Sequence, residues 1–251
     1  MDTINNIPKI IHYCWFGRKP LPQMANKCIA SWRKYLPDYE IKEWNEDNFD
    51  VNSIPYTREA YEAGKYAFVS DYARFEILYK YGGLYFDTDV EVIKPFDNIL
   101  ERGPFMGCEC ESNLTVGRTI TVAPGLGLAV NLGHSLYREL LDLYTKLHFK
   151  NPDGSLNLKT VVEYTTELLY FHGMKNANGI QQVAGIWIYP VDYFCPISVE
   201  DAKLRITLNT HSIHHYSQSW QSPARRIGRK IILKLGGVRF KKWLKVLIYK
   251  K

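Results

Sequence analysis

Apolar positions along the chain change spacing repeatedly between two-residue and four-residue periods, and the changes divide it into short strands and amphipathic helices. Residues 7–17 form an apolar run that ends on Trp15 and Gly17, which predicts a buried first strand. Residues 23–35 carry Met24, Cys28 and Trp32 at four-residue spacing and stop before Pro37, which predicts a helix. Residues 39–44 predict a second strand, with a polar turn over 45–48. Over 67–81 the apolar positions recur at helical spacing, and Gly82-Gly83 predicts the stop. Leu84-Tyr85-Phe86 is too short and too uniformly apolar for an exposed strand. It predicts a buried one that carries Asp87-Thr88-Asp89 at its end and continues through Ile93. Further strands are expected at 105–107 and 119–123, helices at 134–148 and 160–171, and proline-pinned extended pieces at 187–190 and 193–196. A last strand runs into His214 and His215.

Strands alternating with helices indicate an α/β fold. The 251 residues are 46% hydrophobic and 14% aromatic, enough for one domain that buries about 70–75% of its unfolded surface. No apolar run approaches the ~18 residues of a membrane span. The first residues lack a basic leader and a long apolar core, so the expected location is the cytoplasm.

Charge divides the chain in two. From Pro223 onward there are eleven Lys and Arg and no acid; the remainder holds 21 bases against all 26 acids. The expected division is therefore a domain over 1–222 and a basic tail over 223–251. An acidic body argues against nucleic acid as a partner. In the tail, Phe240, Trp243, Leu244, Leu247 and Ile248 share one helical face. That pattern predicts contact with an anionic membrane surface, on the inner face of the plasma membrane, where a lipid-linked glycan acceptor would be presented. The competing expectation is that the tail packs on the acidic body.

Five cysteines in no paired Cys-x-x-Cys arrangement argue against a zinc site or a disulfide framework. Cys108-Glu109-Cys110 is a weak candidate for a soft metal pair.

Two carboxylates one residue apart, at the exit of a rigid strand, suit a hard divalent cation that also holds phosphate oxygens. Counted from Asp87 as a calcium loop, positions six and twelve are Val92 and Asn98 where Gly and Glu are needed, so that reading fails. An aspartyl-phosphate phosphatase would carry Thr or Val where Glu91 stands, which weakens that reading without removing it.

The whole string, Ser70-Asp71-x-x-Arg74, Leu78, then Gly82-Gly83-x-Tyr85-x-Asp87-x-Asp89, resembles the signature of retaining glycosyltransferases of family 32. That group holds capsular-polysaccharide sugar transferases and initiating mannosyltransferases, and is distantly similar to the large glucosylating toxins. The resemblance implies a GT-A-type nucleotide-binding sandwich, with a mixed, mostly parallel central sheet flanked by helices. It implies transfer of a sugar from a nucleotide diphosphate sugar, a UDP-sugar first and GDP-mannose as the alternative, to a hydroxyl of a glycan in capsular or surface polysaccharide synthesis. Mn2+ or Mg2+ is the implied cofactor. Asp89 would bind it directly, Asp87 would reach the ribose and the metal, and Asp71 with Arg74 would hold the donor sugar. Trp15 would stack the base, though a core Trp capping the sheet fits its spacing too. Trp220 would close over the donor, and His215, five residues before it, would complete the metal shell. His214 and His215 face opposite sides of a strand, so one of them serves; a surface pair is the plainer alternative. A nucleotide-sugar-binding protein without turnover would use the same pocket.

Overall fold

The computed structural model describes residues 7–113, 115, 117–198 and 203–217. Trp220 and the tail over 223–251 lie outside the described residues. In chain order the elements are β1 (Ile10–Cys14), α1 (Gln23–Tyr35), β2 (Glu40–Trp44), α2 (Pro55–Glu62), α3 (Tyr66–Tyr81), β3 (Gly83–Tyr85), β4 (Val90–Val92), α4 (Asp97–Leu100) and β5 (Phe105–Cys110). There follow β6 (Thr121–Val122), β7 (Leu128–Val130), α5 (Ser135–Tyr144), α6 (Val161–Phe171), β8 (Gln181–Val183), β9 (Ile186–Tyr189), α7 (Val191–Phe194) and β10 (Ser212–His214).

Eight strands form one sheet in the order β2-β1-β3-β7-β5-β9-β8, with β6 on the side of β5. β2, β1, β3, β5 and β9 run one way and β6, β7 and β8 the other, so the sheet is mixed and mostly parallel. Helices flank both faces. Tyr56 and Ala60 of α2, Phe75 and Leu78 of α3, Leu140 of α5 and Leu169 of α6 pack into one core. Cys28, Ile29 and Trp32 of α1 and Phe194 of α7 pack into the other, with Phe86, Val90 and Phe96. A second, two-stranded sheet pairs β10 with β4.

The entry into β3 is held by the two glycines. Gly83 has φ +94° and passes so close to β1 that a Cβ would sit 2.6 Å from the Ile10 carbonyl oxygen. The buried ring of His12 braces this approach. The Trp44 indole, which can only donate, gives its proton to His12 Nδ1 at 3.0 Å. The ring's own proton is therefore on Nε2, which donates to the Gly82 carbonyl at 3.1 Å. Burial pushes this imidazole down to about 4, with Lys42 acting in the same sense and the Gly82 bond opposing it.

Three expectations differ. The strand of Leu84 does not continue through Asp89: the chain turns, with Val90 N–H donating to the Asp87 carbonyl at 3.0 Å, and β4 leaves for the second sheet. The stretch before Pro196 was expected to be extended, but Pro190 stands at an N-cap and residues 191–194 form a helical turn. Leu128–Val130, where no strand was expected, is an interior strand between β3 and β5.

Candidate active site

Asp87 and Asp89 leave the sheet at the carboxyl end of β3, where ligands of open α/β sheets sit. Beneath them α3 presents Asp71 and Arg74 on one face. The Arg74 Nη2 donates to Asp71 Oδ1 at 2.9 Å, and its Nη1 stands 3.3 Å from Asp87 Oδ1. Nε donates to the Ser70 carbonyl at 3.1 Å, and the guanidinium lies 4.8 Å over the Tyr85 ring. The Tyr85 hydroxyl donates to Asp87 Oδ1 at 3.2 Å.

One buried cation thus serves two carboxylates. Burial opposes the charge of Arg74, but Asp87, Tyr85 and Asp71 together raise its affinity for the proton. Asp71 is left less well compensated. Burial pushes its carboxyl up to about 7; Arg74 pulls it down, and Asp87 adds to the rise. Arg74 Nη1 is buried and makes no hydrogen bond of good geometry.

Asp89 is anchored from the second sheet. His214 Nε2 lies 3.1 Å from its Oδ1, the Ser217 N–H donates to Oδ2 at 2.7 Å, and the His215 N–H donates to its carbonyl at 2.9 Å. Burial works to raise this carboxyl, but the His214 ring and the Ser217 N–H outweigh it and hold it at about 2. Burial likewise opposes the charge of His214, yet Asp89 foremost raises its affinity for the proton.

Asp87, Asp89 and His214 each offer a ligand atom within 4.8 Å of the others. An octahedral ion at about 2.1 Å from its ligands sets neighbouring ligand atoms ~3 Å apart, the spacing found between His214 and Asp89. The donor set fits a divalent cation.

His215, expected at the metal, is not part of this group. β10 runs antiparallel to β4 with His214 opposite Val90, and alternate residues face opposite sides. His214 therefore turns to the aspartates, while His215 Nε2 bonds Glu91 Oε2 at 2.7 Å. Trp15 follows β1 at the same rim; it is half-buried, and its indole donates to the Lys19 carbonyl at 2.5 Å.

Sequence reasoning missed Gly125. Its carbonyl accepts the Asp87 N–H at 3.2 Å, and a Cβ there would lie 2.1 Å from Asp87 Oδ2. Only the Pro124-Gly125 pair hinted at it, and that reads as an ordinary turn. Glu109 was noticed solely as the spacer between two cysteines.

Residues 22–106 match the family described as a glycosyltransferase sugar-binding region containing a DXD motif. The match covers about a third of the chain. It contains Asp71, Arg74, Asp87 and Asp89; Trp15, Gly125 and His214 fall outside it. The chain is 34% identical over 98 residues to inositol phosphoceramide mannosyltransferase 3 of Schizosaccharomyces pombe, a match over 38% of this chain and 27% of that protein. It is 27% identical over 119 residues to inositol phosphoceramide mannosyltransferase 1 of the same yeast, covering 41% and 34%. The matches thus span about a third or less of these relatives' own length. A solved structure titled PaToxG Glycosyltransferase superimposes with a TM-score of 0.50 at 20% identity, over 66% of this chain and 69% of that one. That likeness is one of fold, the GT-A type.

Proposed function

We propose that the protein transfers a sugar from a nucleotide diphosphate sugar to a hydroxyl of a glycan acceptor. Retention at the anomeric carbon follows the resemblance to family 32. The observation that carries the reading is the joined pair of groups at one strand end, Asp71–Arg74–Asp87 and Asp87–Asp89–His214.

Asp87, Asp89 and His214 would hold the divalent ion; the imidazole favours Mn2+ over Mg2+. Such an ion supplies positive charge beside the leaving diphosphate. Asp89, ionised far below neutral pH, keeps its acceptor oxygens free of protons throughout the working range. Arg74 presents Nη1 to a donor oxygen, and Asp71 fixes the guanidinium's plane. Asp71, closer to neutrality, can accept or donate a hydrogen bond to a sugar hydroxyl. Trp15 offers an aromatic face at the same rim, which suits stacking of the base.

A second reading concerns the base. The two yeast relatives are named mannosyltransferases, which favours a mannosyl donor and so GDP; the Trp15 resemblance favours uridine. Release of nucleoside diphosphate from a panel of UDP- and GDP-sugars with Mn2+ tests both. Turnover is expected with one base class, and Asp89→Asn should abolish it with melting unchanged. Turnover that survives chelation of metal, or this variant, would refute the metal-site reading. Donor binding without any release would leave the protein a binder.

A further inference from the structure

Just past β10 the chain passes through an uncommon backbone state. Tyr216 has φ +48°, a left-handed conformation that is an outlier for a bulky side chain and persists only where the surroundings fix it. The next residue is Ser217, whose N–H donates to Asp89 Oδ2 at 2.7 Å. The Tyr216 ring meets the imidazole of His214 edge to face, with centroids 4.2 Å apart and planes at 87°. The same ring packs against the core that holds Phe194 and Cys195, and its hydroxyl lies 2.9 Å from Cys195 Sγ. Glu109 of β5 lies close by: burial raises its carboxyl, while His214 and then a hydrogen bond from Tyr216 lower it.

A histidine that gives Nε2 to a metal ion carries its proton on Nδ1. That N–H is ordinarily held by a carboxylate, a carbonyl or water, which fixes the plane of the ring. His214 has Nε2 at 3.1 Å from Asp89 Oδ1. Its Nδ1 is buried and has no hydrogen-bond partner among the described residues. The plane of this imidazole is therefore not set by a bond at Nδ1. The contact that remains is the aromatic one, and at 4.2 Å it is already closer than the usual range of about 4.5–7 Å for such pairs. His214 cannot tilt toward Tyr216 without displacing a ring that is seated in the core.

We propose that Tyr216 is a positioning residue of the Asp87–Asp89–His214 group, its ring taking the place of a bond at Nδ1 and fixing the imidazole with Nε2 toward Asp89. The inference rests on the metal-site reading above and adds to it a residue that acts through His214. Ring and backbone have separate parts. The ring sets the imidazole, and the left-handed backbone aims the following N–H at Asp89. The hydroxyl contributes less, because a thiol is a weak hydrogen-bonding partner and the packing of the ring on the core does not depend on it.

The full-length natural chain is compared with Tyr216→Phe and Tyr216→Gly. Glycine adopts the left-handed backbone freely, so this variant keeps the Ser217 N–H in place and removes the ring. Mn2+ affinity is measured by calorimetry, and the coupling of the bound ion to nitrogen by pulsed electron paramagnetic resonance. Tyr216→Gly should weaken Mn2+ binding by about tenfold or more and lose most of the nitrogen coupling, because the carboxylates still hold the ion while the imidazole turns away. Tyr216→Phe should stay within about threefold of the natural chain, with its coupling intact. Tyr216→Asn, whose short side chain also accepts the left-handed backbone, should behave as Tyr216→Gly does and serves in its place if the glycine loosens the fold. Ringless variants with the affinity and nitrogen coupling of the natural chain would overturn the proposal. So would a Tyr216→Phe variant that loses both, because the hydroxyl and not the ring would then hold His214. Failure of the metal-site reading looks different: the natural chain itself would bind no Mn2+, or bind it without nitrogen coupling.

Discussion

Gly125→Ala isolates the placement of one carboxylate. Gly125 has backbone angles open to any residue, so a methyl group is the whole of the change. That methyl would stand 2.1 Å from Asp87 Oδ2 and 2.9 Å from its Cγ, against ordinary contacts of about 3.5 Å. The backbone bond between Asp87 N–H and the Gly125 carbonyl, 3.2 Å, ties the two segments, so the side chain has to yield. Its carboxylate must retreat by about 1 Å or more, which removes it from both the Tyr85 hydroxyl and Arg74 Nη1. A displacement of ~1 Å at a reacting centre can cost about 100-fold in rate, or roughly 2.7 kcal/mol of transition-state stabilisation. The fold should survive, since Asp87 is 31% exposed and can turn to water. The assay is Mn2+-dependent donor hydrolysis beside thermal melting. Expected is a loss of about 100-fold in kcat/KM with a melting transition still cooperative. Activity within a few-fold of the natural chain would refute the claim that Asp87 must occupy its observed position.

The histidines divide cleanly: His214→Ala should weaken Mn2+ binding, measured by calorimetry, while His215→Ala should leave it unchanged; the reverse would restore the expected register. His12 carries a pH signature, because its folded value near 4 lies below the ~6.5 of an unfolded histidine. Its stabilisation is complete above about pH 6.5 and is lost as pH falls toward 4, with ~2 kcal/mol gone between pH 7 and 5; urea unfolding at the two pH values should show this, and His12→Asn should flatten the difference. An unchanged slope in that variant would assign the acid sensitivity elsewhere. Truncation after Ser222 should remove the salt-sensitive part of binding to anionic vesicles with melting and donor hydrolysis nearly unchanged; a large loss of stability would mean that the tail packs on the body.

The legible parts of the sequence were those whose signals are local. α1 was found at its observed bounds and α3 to within one residue, because apolar spacing and a proline or glycine stop agreed. Asp71, Arg74, Asp87 and Asp89 were picked out by the resemblance of the whole string around Gly82-Gly83, and the structure brings them together. What was not legible depended on pairing between distant segments. Leu128–Val130 is buried on both faces and three residues long, so it shows no alternation. The histidine register is set by which residue of a three-residue strand opposes Val90, and counting back from Trp220 carries no information about that. Gly125 has no chemistry of its own; its role appears only once Asp87 is seen lying against it.

The Asp89 carboxylate waits on a partner segment 128 residues farther along, the separation from Ser217. At a synthesis rate of about 5–20 residues per second, that separation corresponds to roughly 6–25 seconds on the ribosome. Throughout this interval the emerging chain holds its two aspartates without imidazole or capping N–H. Under the proposed function, the site stays incomplete until Ser217 has been made, and a product released before that point lacks the group that would hold the ion.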